Sequence, residues 1–229
     1  MTYVDETSAI DRKWLLDVAR GAGRCVRLSD GNIRLPPARL SFAHVREPKR
    51  IEPKNPGEQV KFLYQASFVF PWELTLADFK VLEDACDDLA IPKYGPNWRA
   101  NKKLYRPLKE QVENVQTKSG ERWPGYNPTG YYISVSAGVD RPPVLQDTKG
   151  NVVADTSIFQ NGCWVLPIVN PYLLKTESNH GVTVGFNGLV YLAEDNSFGA
   201  GAINPSTAAA GLDALSAPPP VFGGGLIED

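Results

Sequence analysis

The 229 residues are 42% hydrophobic and 22% charged, a balance that supports a core and excludes a wholly disordered chain. The formal net charge of −2 is unevenly spread: residues 176–229 hold six carboxylates and no Lys or Arg, so +4 remains on the rest. A basic body with an acidic C-terminal part is an asymmetry typical of nucleic-acid-binding chains. The three cysteines, Cys25, Cys86 and Cys163, are odd in number and far apart. They argue against a disulfide framework or a zinc site and for a reducing cytoplasm. The polar start MTYVDETSAIDRK is not a secretory signal. No apolar run reaches the roughly 18 residues of a membrane helix, so the expectation is a soluble intracellular protein.

Ile10, Trp14, Leu15, Val18 and Ala19 fall on one helical face, with Ser8 as N-cap and Gly21 as stop. CVRLSDGNIRL reads as a hairpin around Asp30-Gly31, and ARLSFAHV as the first main strand. REPKRIEPKNPGE, with three prolines and mixed charge, reads as an exposed loop. In KFLYQASFVFPW, Phe62, Tyr64, Ala66, Phe68 and Phe70 share one face at period two. That face reads as core, with Tyr64 kept as a contact residue. Thr75 and Asp78 form a capping box ahead of a helix whose buried face is Phe79, Leu82, Cys86 and Leu89. Pro92 ends that helix, and Glu83, Asp84, Asp87 and Asp88 read as its solvated face.

The stretch PKYGPNWRANKKLYRPLK, residues 92–109, carries Lys93, Arg99, Lys102, Lys103, Arg106 and Lys109 and no acid. Tyr94, Trp98 and Tyr105 are interleaved with these cations. A single strand alternates flat bases with charged linkers. Rings stack on any base, while cations neutralise phosphates and release counterions. The segment therefore suits a nucleic-acid groove, with the cations on phosphates and the rings on bases. After the polar linker LKEQVENVQ, the loop KSGERWPGYNPTGYY repeats the theme with Lys118, Arg122, Trp123, Tyr126, Tyr131 and Tyr132.

Strands follow at YYISVSAG, PPVLQ, NVVAD, GCWVLPIVNPYLLK and GVTVGFNGLVYLAED, with a turn at Lys149-Gly150-Asn151. Gly185 and Gly188 in the last of these suggest a bulge or sharp bend. Many strands around one good helix make a mainly β barrel or sandwich. From Gly199 onward, small residues with a Pro and a Gly triplet read as a flexible tail.

Catalytic chemistry is not indicated. His44 and His180 lack ligand-type neighbours, and no phosphate loop, Gly-x-Ser-x-Gly elbow or His-Glu-x-x-His is present. Asp140, Asp147 and Asp155 would be the carboxylates of a metal nuclease, but each sits in a Pro/Gly turn that favours Asp for turn chemistry.

The blocks ARLSFAHVREPKR, KFLYQASFVFP, RWPGYNPTGYYISVSAG, SIFQNGCWVLPIVNPY and GVTVGFNGLVYLAED together resemble a family of tailed-phage single-stranded DNA-binding proteins, over Arg39 to Asp195. The resemblance implies an OB-like five-stranded barrel that coats exposed single strands in replication or recombination and recruits phage enzymes. The family's acidic C-terminal tip falls on Leu226, Ile227, Glu228 and Asp229.

The resulting expectation is a mainly β, OB-like domain over residues 1–198, with an N-terminal helix/hairpin extension (1–38), a core (39–195), one main helix and inserted loops. Residues 199–229 form the tail. The expected partner is single-stranded DNA, with phosphate contacts alone tolerating duplex DNA or RNA. Phosphates fall to Lys93, Arg99, Lys102, Lys103, Arg106, Lys109 and Arg122; bases fall to Tyr94, Trp98, Tyr105, Trp123, Tyr126, Tyr64 and Tyr131. No metal or cofactor is called for. The rival readings are a phage assembly protein and a metal-dependent nuclease.

Overall fold

A computed structural model describes residues 8–53, 59–114, 120–123, 125–175 and 179–198. These fall in one compact unit that ends at Phe198. In chain order the elements are α1 (Arg12–Arg20), β1 (Val26–Arg27), β2 (Ile33–Arg34), β3 (Ala38–Ile51), β4 (Lys61–Val69) and α2 (Lys80–Tyr94). There follow β5 (Leu104–Tyr105), β6 (Lys109–Glu110), β7 (Tyr131–Gly138), β8 (Val144–Gln146), β9 (Trp164–Lys175) and β10 (His180–Ala193).

The five long strands close into a ring. β3 pairs with β4, β4 with β7 and β10 with β9, all antiparallel, and β9 returns to β3 through Ala38–Val165 and Arg39–Trp164. The remaining seam, β7 to β10, is parallel and rests on the single pair Ser136–Gly185. A three-strand meander whose fourth strand lies back beside the first is the Greek key of an OB barrel. The expected mainly β, OB-like fold is what the chain forms.

The barrel interior follows from period two. Leu40, Phe68 and Ile133 stand opposite one another on three strands and are fully buried, and the Phe68 ring meets Phe186 edge-on. α2 closes one end: Phe79 packs its ring on Phe70 and Tyr131, while Leu82, Ala85, Cys86 and Ala90 are buried behind it. The Thr75–Asp78 capping box is present. Burial pushes the Cys25 thiol up to about 11 and those of Cys86 and Cys163 to about 12, so all three are packing groups rather than reactive thiolates.

Several sequence expectations shift. Asp11, not Ser8, caps α1; the Ser8 hydroxyl instead donates to Asp195 at 2.6 Å. β3 runs through the charged segment read as a loop, because Lys49, Arg50 and Ile51 still find partners on β4. α2 continues past Pro92 to Tyr94 and stops at Gly95, whose φ of +81° suits glycine. The linker after Lys109 is anchored by Gln111, which is buried. Its Nε2 donates to the Phe70 and Tyr131 carbonyls, and its Oε1 accepts from Asn127 N. The expected irregularity in β10 appears as a register shift between Phe186 and Gly188.

A buried polar knot ties the two ends of the unit together. Arg39 is 1% exposed; it donates to the carbonyls of Gly162 and Asn196 and lies 3.7 Å from Asp195. Asp195 also accepts from the Ser8 hydroxyl, Ala9 N, Trp164 Nε1 and Asn196 N. The Phe198 ring covers the Arg39 guanidinium at 4.0 Å and presses on Gly125, where no Cβ would fit.

Candidate nucleic-acid interface

Residues opposite one another on paired strands share a face. The inward set fixes the outward one: Lys61, Leu63, Gln65, Ser67 and Val69 on β4, with Gly138, Ser136, Ser134 and Tyr132 opposite the last four on β7. His44 and Lys49 of β3 pair with Gln65 and Leu63 and join this outer face. Its middle is small and polar, and Ser67 and Ser134 bond across the strands at 2.9 Å. At one end Tyr126 and Tyr132 pack on Val69, and Trp123 packs on them. Burial, then Tyr126, Glu113 and Tyr105, push the Tyr132 phenol up to about 12. Burial, and then the charge of Lys49, lower the His44 pKa, so His44 is neutral at physiological pH.

Two ring systems border this end. Phe42, 41% exposed, meets the Trp123 ring edge-on at 4.9 Å. Phe42 holds a φ of +50° at the break in pairing between Ser41 and His44. For a bulky residue that backbone is strained, typically by 1–3 kcal/mol, and such strain concentrates at functional sites. On the other side β6 pairs Lys109 with Tyr132, which turns Lys109 to the same face, and its ammonium stands 4.3 Å from the Tyr105 ring centroid. The β6–β7 ladder thus joins two segments that are separate in sequence: Tyr105 and Lys109 come together with Tyr132 and the Trp123 cluster.

Other expected contacts are buried, half-buried or engaged within the fold. Trp98 is 2% exposed and its indole donates to Asp87 at 2.7 Å, so it offers no free ring face. Tyr126 is 1% exposed. Its hydroxyl lies over Ser41, Ser67 and Asn114 without a well-formed bond, and burial pushes its pKa up. Tyr94, Tyr131 and Tyr64 are half-buried against the main core, Tyr64 because it belongs to the inward set. Arg99 is paired with both Glu83 and Asp87. Burial and the nearby Arg106 lower its pKa, and it remains charged. Glu83 and Asp87 are therefore not a solvated face but the anchor of the 98–99 turn.

Lys93, Lys102, Lys103, Arg106 and Arg122 are exposed, with the Lys93 ammonium 5.3 Å from the Tyr94 ring. Lys118 and Leu226, Ile227, Glu228 and Asp229 lie outside the described residues. Asp147 accepts from Lys149 N, Asn151 N and the Asn151 amide, and Asp155 from Ser157 N, so both hold turns. Among the described residues no three His, Cys, Asp or Glu side chains converge as metal ligands, and no helix is long and apolar enough to cross a membrane. Phe42, Lys49, Lys61 and Gln65, which the sequence alone does not single out, join this candidate face or its border. Nothing in the alternation of ARLSFAHV marks the break in pairing that exposes Phe42.

The family described as Enterobacter phage Enc34, ssDNA-binding protein, matches residues 32–212, well over half of the chain. The chain belongs to that family. No curated protein matches it. Its fold is similar to that of the single-stranded DNA-binding protein from bacteriophage Enc34 in complex with ssDNA, at 15% identity and a TM-score of 0.57, covering 77% of this chain and 94% of that one. A second structure of the Enc34 protein matches at 16% identity and 0.55, covering 81% of this chain and 94% of that one. Its C-terminal truncation matches at 14% and 0.53, covering 77% and 94%. At such identities the likeness concerns the fold, and the two added structures agree on it.

Proposed function

We propose that this protein binds single-stranded DNA without sequence specificity and coats it during phage DNA replication or recombination, in the cytoplasm of the host. The observation that carries the reading is the family match over residues 32–212, a family described as ssDNA-binding. The geometry supports a location. The face of the second and third barrel strands is where OB folds hold oligonucleotides, and here it is β4 and β7, polar in its middle and bordered at one end by ring-bearing side chains.

Bases stack on Trp123, Phe42 and Tyr105, while Lys109, Lys49, Lys61 and Arg122 meet phosphates. Lys93, Lys102, Lys103 and Arg106 supply the attracting field of the insertion rather than fixed contacts. The protein acts by binding and carries out no bond-breaking step. The segment Leu226–Asp229 serves as a docking tip for replication proteins.

The test is equilibrium binding to labelled oligo-dT and to a duplex of equal length, with magnesium present and the DNA recovered afterwards. Tight, salt-sensitive binding to intact single strand supports the reading. Equal or stronger duplex binding, or degraded DNA, contradicts it.

A further inference from the structure

The β7–β10 seam opens a groove that none of the contacts above uses. Beyond Gly185, β10 leaves β7 and pairs instead with β8 through Gly188–Val144, Leu189–Leu145 and Val190–Gln146. The separation leaves a cavity of about 620 Å³, within the range of small-ligand sites. Its lining includes Ser136, Arg141, Asn170, Tyr172 and Asn187.

Three observations give it a chemistry. Tyr172 is 45% exposed, which is high for a ring on a central strand of the barrel. Gly185 lies beside it: a Cβ there would stand 3.6 Å from Asn187 Oδ1, 3.7 Å from the Asn170 carbonyl oxygen and 3.8 Å from Tyr172 Cε1, so glycine leaves a methyl-sized space at the ring edge. The bulge at Phe186/Gly188 turns Asn187 outward, where its amide donates to Asn32 at 2.6 Å and fixes one rim. Bulges redirect side chains in this way at functional sites. Arg141 is exposed at the other rim, with no ion pair among the described residues. A ring beside a slot, amides and one cation match a nucleotide: a flat base, polar base edges and a phosphate.

We propose that this groove is a second nucleotide subsite, in which Tyr172 stacks a base and Arg141 holds the adjoining phosphate. Ser136 belongs both to the groove and to the outer face of β4 and β7, so a strand leaving that face enters the groove directly. The inference rests on the single-strand reading and lengthens its footprint around the barrel.

The test uses the full chain, with Tyr172→Ala, Tyr172→Phe and Arg141→Gln, against labelled oligo-dT of about 6 and about 16 nucleotides, bracketing one OB fold's site. Tyr172 is exposed, and an unchanged melting temperature confirms that each variant folds. The expected result is that Tyr172→Ala binds the short oligonucleotide like the wild type but the long one about 5- to 100-fold more weakly. Tyr172→Phe, which keeps a stacking face, restores long-oligonucleotide affinity. Arg141→Gln lowers the log–log salt slope for the long one by about 0.7. Wild-type behaviour of Tyr172→Ala at both lengths overturns the subsite and leaves the single-strand reading standing. Equal weakening at both lengths overturns the idea of an extension, and failure of the wild type to bind either length overturns both.

Discussion

The Trp98 indole and the Asp87 carboxylate are joined by a 2.7 Å hydrogen bond, and Arg99 donates to the same carboxylate oxygen at 3.0 Å. The most nucleic-acid-like dipeptide of the chain is thereby bound to α2 as part of the fold. Trp98→Ala is expected to cost about 3–5 kcal/mol of stability, the usual range for emptying a buried aromatic site. Denaturant unfolding measures it. A variant that keeps wild-type stability and loses only DNA affinity would show that Trp98 is a binding residue after all.

The Phe42–Trp123 pair, with Phe42 exposed and Trp123 half-buried, behaves oppositely. Phe42→Ala and Trp123→Ala should each weaken oligo-dT binding by about 1–3 kcal/mol. Stability should change little at Phe42, because its ring is largely exposed and alanine, which keeps the Cβ, leaves the backbone strain as it was. Titration of labelled oligonucleotide, paired with thermal melts of each variant, separates the two effects.

Lys109, Lys49 and Lys61 are assigned to phosphates. Each change to Ala should lower the magnitude of the log–log salt slope by about 0.7 without changing base preference. The same change at Lys93, whose ammonium sits by the Tyr94 ring, should leave the slope nearly as it was. Binding measured across a salt series distinguishes these outcomes.

The Asp195 knot predicts an acid dependence of stability. Burial alone would raise this carboxyl, but the bonds it accepts from Ser8, Ala9, Trp164 and Asn196 prevail and hold it below the usual range. A carboxyl depressed in the folded state stabilises fully above its unfolded value, near pH 4, and loses that contribution as pH falls through the folded value. Asp195→Asn should therefore destabilise at pH 7, with the gap to wild type narrowing below about pH 4. A gap constant from pH 7 to pH 3 would mean that the charge is not what holds the knot.

The strands were legible because their period-two patterns are long: Phe68 and Ile133 declare an inward face that the barrel uses. Pairing was not legible, since nothing local says that β6 lies on β7 or that β10 leaves β7 at Gly185. The site was half visible for the same reason. Alternating rings and cations identify a chemistry, but burial chooses among them, and it is set by partners distant in sequence. Trp98 and Tyr126 have the same composition signal as Trp123 and Tyr105, yet Asp87 claims one and the Val69–Tyr132 cluster covers the other. Phe42 carried no signal, because a bulge depends on what the neighbouring strand does.

The most direct test of the central claim is quenching of intrinsic tryptophan fluorescence by oligo-dT in the wild type and in Trp123→Ala. Saturable quenching in the wild type that largely disappears in the variant is the predicted result, since Trp98 and Trp164 are buried, Trp14 lies on α1 and Trp72 falls beyond the end of β4. Quenching of equal size in both proteins, or none in the wild type, would contradict a single strand lying across the outer face of β4 and β7.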